Sequence, residues 1–290
     1  MVQSDERRPG ERAVVVTGAS SGIGKAIALE LAERGFVVFA GVRTPEDEEA
    51  LESHPMTGPG RVWPVMLDVT DQAQLCRVTE TVEAEPYDLA GVVSNAGIAV
   101  AAPLEFVPLE DLRQQLEVNV VGAVATIQSF MPQVRRSGGR IVMVGAISGL
   151  VSSRLLGAYA ASKFALEAIS DALRRELADW QIPVSLVEPG RIATPIWSKS
   201  LADANDRIAR MPPEALRYYQ GLMDEVLDGA KEVESTGTPP VAVAKAVHRA
   251  LTDRRPRTRY FVGTDAHTVN VLRRLLSDPL MDWLIRTTRR

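Results

Sequence analysis

Two short strings hold the residues whose types and spacing suit them to chemistry. Thr17-Gly18-Ala19-Ser20-Ser21-Gly22-Ile23-Gly24 is rich in glycine and small hydroxyls. Glycines let a chain turn tightly and bring backbone N–H groups close to a bound pyrophosphate, and a following helix adds its positive N-terminal end. The second string is Tyr159-Ala160-Ala161-Ser162-Lys163, with the tyrosine and lysine four residues apart. On a helix such residues share a face. A free phenol titrates near ~10, too high for easy proton exchange at neutrality. A nearby ammonium and a positively charged nicotinamide favour the phenolate. The pair therefore suits general acid–base work beside a dinucleotide.

The elements that must position these strings are legible around them. Residues 12–17, Arg-Ala-Val-Val-Val-Thr, form a short β-branched run that predicts a buried strand. From Gly22 to Arg34 the apolar residues Ile23, Ala26, Ile27, Leu31 and Ala32 recur at helical spacing. Such a turn can be glycine-rich for steric reasons alone, but its strand–turn–helix context favours a nucleotide. The next strand ends in Val42 and Arg43. An acidic residue there would hydrogen-bond the adenosine ribose and repel a 2′-phosphate. Arg43 instead offers that phosphate a planar fork, and Ser20 adds a hydroxyl. This favours NADP(H) over NAD(H), against the alternative of a surface arginine with no partner. Tyr159 and Lys163 open a long helix expected over 158–180, with Ala161, Ala165, Leu166, Ile169, Leu173 and Leu177 on its apolar side.

The whole chain alternates strand and helix. Strands are expected near 13–17, 36–42, 61–67, 89–94, 139–145, 182–188 and 258–262. Helices are expected near 22–34, 71–84, 109–136, 157–179 and 239–252. This order predicts an α/β fold, a Rossmann-type doubly wound parallel sheet in one domain over 1–290, with its ligand at the carboxyl ends of the strands. Residues 1–11 read as a flexible N-terminus. Residues 193–238, bounded by Pro195, Pro212, Pro213, Pro239 and Pro240, read as helical pieces of a substrate-covering flap. The flap's Trp197, Met211, Leu216, Tyr218, Tyr219 and Met223 suit an apolar pocket or packing on the domain's own core. Residues 265–290 read as a C-terminal helical extension.

On these strings the chain resembles the short-chain dehydrogenase/reductases, and more narrowly their 17β-hydroxysteroid and retinol dehydrogenase branch. The resemblance is specific over about residues 13–200. Further motifs match: Asp68-Val69 is similar to the pair that contacts adenine, and Ser94-Asn95-Ala96-Gly97 to the family's Asn-Asn-Ala-Gly, with serine in its first place. The resemblance implies that Asn119 holds a water near the lysine, and that Lys163 also binds the nicotinamide ribose. It implies that Pro189-Gly190, with Ile192 and Thr194, positions the nicotinamide carboxamide. The same comparison marks one departure. Where the family carries a serine that holds the substrate oxygen, this chain has Ala146. Ser148 is a weak substitute, since two residues of extended chain span ~6–7 Å. Ser152 and Ser153 are further donors that nothing in the spacing favours. Two explanations stand: an engineered serine-to-alanine variant, or a protein that works without that hydroxyl.

Composition excludes several other classes. A net charge of −4 gives no general attraction to nucleic acid, and the cluster Arg254, Arg255, Arg257 and Arg259 reads as a solvated loop. The single Cys76 argues against a disulfide framework and suits a cytoplasmic setting. His54, His248 and His267 show no metal-ligand spacing, so no metal is expected. No apolar run is long enough to cross a membrane, and residues 1–12 lack a signal-peptide core. The basic amphipathic C-terminal segment suits packing beside the flap, a subunit contact or a membrane surface. In this family the long helices near 109–136 and 157–179 pair between subunits, which implies a homodimer or homotetramer. The expected function is NADP(H)-dependent interconversion of an apolar secondary alcohol and ketone. The proposed catalytic set is Asn119, Tyr159 and Lys163 with Ala146 in the serine position, and Ser148, Trp197, Tyr218 and Tyr219 face the substrate. The alternatives are a non-redox cyclase or dehydratase using the cofactor as scaffold, and a nucleotide-binding protein with a degenerate site.

Overall fold

β-Branched runs alternate with amphipathic helices, and the sheet they build has both faces covered. The computed structural model describes residues 12–194, 196 and 210–287; the expected N-terminal arm, 1–11, lies outside them. The strands are β1 (Arg12–Val16), β2 (Val37–Val42), β3 (Arg61–Met66), β4 (Asp88–Ser94), β5 (Arg140–Val144), β6 (Val184–Pro189) and β7 (Arg259–Val262). They form one seven-stranded sheet in the order β3-β2-β1-β4-β5-β6-β7, with every pairing parallel. The order reverses between β1 and β4, which opens a crevice at their carboxyl ends.

Alternate residues of each strand feed two cores. On one face Val14 and Val16 meet Ile27 and Leu31 of α1 (Gly22–Glu33) and Val243, Val247 and Leu251 of the later helix Pro240–Thr252. On the other, Val15 and Phe39 meet Leu75 of α3 (Gln72–Ala84), Phe130 of α5 (Gly122–Ser137) and Leu166 of α6 (Gly157–Glu176). Each fully buried large side chain contributes about 1.5–3 kcal/mol. No helix among the described residues is long and apolar enough to cross a membrane.

Three elements differ from the sequence expectation. A helix was not expected at α2 (Pro45–Glu52), yet it is well marked. Thr44 caps it by accepting from Asp47 N at 3.2 Å, proline opens it, and Glu46, Asp47 and Glu48 fill its first turn. The single helix expected over 109–136 is three pieces: α4 (Leu109–Leu116), a π-helical turn (Glu117–Val121) and α5. The prolines bounding 193–238 suggested helical fragments, but α7 (Pro213–Thr236) is one continuous helix of 24 residues. Pro213 takes its first turn, where the missing N–H costs nothing. α8 (Pro240–Thr252), α9 (Thr264–Leu275) and α10 (Asp278–Thr287) complete the chain's described helices.

One buried carboxyl stands out at the end of β6. Glu188 is fully buried, and neither of its oxygens has a hydrogen-bond partner. Arg259 Nε lies 3.4 Å from it, but the same guanidinium is 2.7 Å from Glu167 and 3.3 Å from Asp171. Burial and then the Glu167 carboxylate push the Glu188 carboxyl well above the ordinary range, partly opposed by Arg259 and Arg274. The arginine's charge is taken by Glu167, so Glu188 keeps its proton.

The folded state thus holds a proton that the unfolded chain releases at neutral pH. Stability is fully present below the ordinary carboxylate range and is lost as pH rises toward the raised value. Glu188→Gln is expected to flatten that slope in thermal unfolding between pH 5 and 9. It should raise stability by about 2 kcal/mol at pH 8; an equal loss at both ends of the range would contradict the assignment.

Candidate active site

The glycine string lies where β1 hands over to α1, on the carboxyl edge of the sheet. Thr17 is buried, and its Oγ1 accepts from Asn95 N and Ala96 N, both at 3.0 Å. Asn95 Nδ2 returns two bonds, to Thr17 O at 2.9 Å and Gly18 O at 3.1 Å. The turn and the Ser94-Asn95-Ala96-Gly97 segment after β4 are therefore one unit. Gly18 has φ +65°, and a Cβ there would come 2.8 Å from the Ala96 Cα. A Cβ on Gly24 would overlap the Gly18 carbonyl and the Asn95 amide. Ser20, Ser21, Gly22 and Ile23 remain half-buried at the mouth of this cradle. Arg43 is exposed directly after β2. After β3, Asp68 Oδ1 accepts from Thr70 N and Oγ1 at 2.9 and 2.7 Å, and Val69 is buried. A helix N-terminus, close-approach glycines and a free-reaching arginine along one edge fit a phosphorylated dinucleotide.

The structure brings Ala146 and Tyr159 together. With Ala99 and Ile196 they form a small buried apolar cluster. Lys163 Nζ lies 5.7 Å from the Tyr159 ring centroid and donates to Val144 O at 2.9 Å. Without cofactor, burial pushes the Tyr159 phenol up and brings the Lys163 ammonium down to about 8. Desolvation acts against both charged forms, and so opposes the help expected from the ammonium together with a positively charged nicotinamide. Tuning of the phenol toward neutrality thus has to come from charge brought into the site.

Asn119 sits in the π-helical turn. Its Oδ1 accepts from Ile98 N at 2.8 Å, and its Nδ2 donates to Ile98 O at 3.0 Å and to Ser162 Oγ at 3.1 Å. Its side chain thus ties the chain after Gly97 to α6 between Tyr159 and Lys163. Gln115, absent from the sequence-derived set, is fully buried one turn earlier. It accepts from Val100 N at 2.7 Å and donates to Ile98 O at 2.9 Å. Its only sequence signal was a glutamine four residues before Asn119. The two amides clamp residues 98–100 beside Ala99 of the Tyr159 cluster, and the widened turn is where the helix carries Asn119 to them.

The segment after β6 is tied down from two sides. Gly190 N donates to Val262 O at 2.9 Å, Thr238 N to Arg191 O at 2.9 Å, and Ala193 N to Thr238 O at 3.0 Å. Ile192 and Thr194 are buried, following the Pro189-Gly190 turn. Ser148 lies half-buried in the 3₁₀ turn Ile147–Gly149. The substrate residues expected in the flap fare differently. Trp197 lies outside the described residues. Tyr218 is 64% exposed, and Tyr219 donates to Glu105 Oε2 at 2.9 Å with its ring edge-on to Phe106. Met211 and Met223 are buried against Val100, Ala102, Val107, Leu155 and Ala158. Met211, just before α7, and Ala215 and Met223 of α7 therefore belong to a satellite core that includes Val100, Ala102 and Val107.

Comparison with known proteins agrees with this arrangement. Residues 12–205 match the family model described as short chain dehydrogenase. An NADPH-dependent 3-dehydrocapnine reductase of Ornithobacterium rhinotracheale is 34% identical over 278 residues, covering 93% of this chain and 95% of the relative. Retinol dehydrogenase 5 of Mus musculus is 31% identical over 284 residues, covering 94% and 88%. Among solved structures, a short chain dehydrogenase from Burkholderia cenocepacia in complex with NADP superposes with a TM-score of 0.71 at 26% identity, covering 95% of this chain and 97% of that one. The fold and the cradle define a dinucleotide-dependent oxidoreductase of the doubly wound class. This chain belongs to the short-chain dehydrogenase family.

Replacing Asn119 by alanine removes the acceptor of the half-buried Ile98 N–H and the amide donor to Ser162 Oγ, while Gln115 still donates to the Ile98 C=O. Asn119→Ala is expected to lower unfolding free energy by about 1–3 kcal/mol in denaturant titration. A change below about 0.5 kcal/mol would show that the amide clamp carries no stability.

Proposed function

We propose that this protein is an NADP(H)-dependent oxidoreductase that interconverts an apolar secondary alcohol and its ketone. The observation that carries the reading is the glycine cradle between β1 and β4 lying on the same sheet edge as the buried Tyr159–Lys163 pair. When bound, the dinucleotide supplies or accepts the hydride. Gly18, Ser20, Ser21, Gly22, Ile23 and Gly24 hold its pyrophosphate, and Arg43 pairs with the 2′-phosphate. Asp68, Val69, Asn95, Ala96 and Gly97 line the adenosine side. Pro189, Gly190, Ile192 and Thr194 orient the nicotinamide end.

Tyr159 Oη exchanges a proton with the substrate oxygen. Lys163 Nζ lies against the Tyr159 ring, where its ammonium would join the cofactor's positive charge in favouring the phenolate. Asn119 acts by fixing Ile98 and Ser162 around the pair. Ala146 supplies no donor. Its cluster with Ala99, Tyr159 and Ile196 makes an apolar floor, which supports a bulky apolar substrate over a small charged keto acid. The related retinol dehydrogenase fits the same substrate class.

Two measurements test this reading. In calorimetric titration NADPH should bind more tightly than NADH, and Arg43→Ala should remove about tenfold or more of that preference. Equal affinities for the two dinucleotides defeat the cofactor assignment. In NADPH oxidation across a panel of apolar ketones, Ala146→Ser should raise the rate by about 10²–10³ by restoring a donor at the developing oxyanion. Adding Tyr159→Phe should remove the gain. Failure of Ala146→Ser to speed any ketone would defeat the serine-position reading.

A further inference from the structure

The C-terminal helix α9 reaches the turn after β6. Asp265, in its first turn, accepts from Arg191 N through Oδ2 at 2.6 Å. The contact is built into the chain on both sides. A Cβ on Gly190 would overlap the Asp265 carboxylate, and so would one on Gly263, which adopts φ +102°. Gly190 and Gly263 both leave room for this one carboxylate. Gly190 N donates to Val262 O of β7, and the chain at and just beyond the end of α7 holds Arg191 O through Thr238 N, Ala193 N through Thr238 O, and the Arg191 guanidinium through Glu232 at 3.3 Å. Ile192 bridges Thr238 in parallel register, so the extended backbone turns its own N–H and C=O to the opposite side. Asp265 thereby fixes the peptide that precedes the Ile192 N–H, which points away from Thr238. Residue 265 lies beyond the 12–205 stretch matched to the family.

We infer that Asp265 is a positioning residue for the nicotinamide end of the cofactor, acting through the Gly190–Arg191 peptide. This rests on the proposed NADP(H) reading and adds the C-terminal extension to the site. The carboxylate accepts a charge-assisted bond from a backbone N–H, which holds the 190–192 turn in one conformation before the cofactor arrives. Loss of that bond frees the turn while leaving the adenosine cradle, at β1 and β4, untouched.

The test separates the two ends of the cofactor by affinity instead of turnover. Dissociation constants for NADPH and for adenosine 2′,5′-bisphosphate, which lacks the nicotinamide, are measured calorimetrically on the full chain. Asp265→Ala is expected to weaken NADPH by about tenfold while the bisphosphate changes less than about twofold. Asp265→Asn retains an acceptor and should show the same selective loss at smaller size, which decides the matter if Asp265→Ala does not fold. Equal weakening of both ligands, or no change in either, overturns the inference. Failure of the unmodified protein to bind NADPH more tightly than NADH defeats the cofactor reading instead, before Asp265 is at issue.

Discussion

The reciprocal bonds between Thr17 and Asn95 are the constraint on which the site depends. They join the ends of β1 and β4 at the place where the sheet changes direction. A doubly wound sheet opens a crevice there, and an open crevice is useful only if its two lips keep a fixed distance. One buried threonine hydroxyl and one asparagine amide set that distance through four hydrogen bonds. Close packing of Gly24 on Gly18 and Asn95 then leaves no room for a side chain within the cradle. The same principle repeats deeper in the molecule. Gln115 and Asn119 hold residues 98–100, and Lys163 holds the end of β5 through Val144 O. Buried amides, not ion pairs, fix the strand ends around Tyr159.

This arrangement separates holding from reacting. The groups that fix the backbone have their hydrogen bonds within the protein. Burial holds the Tyr159 phenol neutral and brings the Lys163 ammonium down to about 8, so at neutral pH the charge of the pair lies on the lysine. Ala146, with Ala99 and Ile196, places an apolar wall beside Tyr159. Under the proposed function this exchanges one preorganised donor for apolar surface, which would suit a substrate bound mainly by its hydrocarbon.

Much of the fold could be read from the sequence because parallel strands buried on both faces leave continuous β-branched runs. Val14-Val15-Val16 and Val37-Val38-Phe39 are of this kind, and the glycines between such a run and a helix mark the turn. Strand positions and the two motifs were legible for that reason. What escaped was set by tertiary contact. The π-helical turn at Glu117–Val121 has no period of its own and is defined by what Asn119 and Gln115 reach. Met211, Met223 and Tyr219 carry the same composition as pocket-lining residues, and only packing on residues 98–107 shows them as core. The Pro45–Glu52 helix was legible in principle from its Thr-Pro start and acidic first turn. Asp265 had no local signal, since its meaning lies in Gly190, far back along the chain.

The central claim is that this site moves a hydride to a carbonyl carbon, not that it uses a dinucleotide as scaffold for another reaction. NADPH carrying deuterium at both C4 positions, incubated with an apolar ketone that the protein converts, tests it by mass spectrometry of the product. The account predicts one deuterium on the new carbinol carbon for each NADPH oxidised. Unlabelled product formed while the NADPH remains reduced would contradict it.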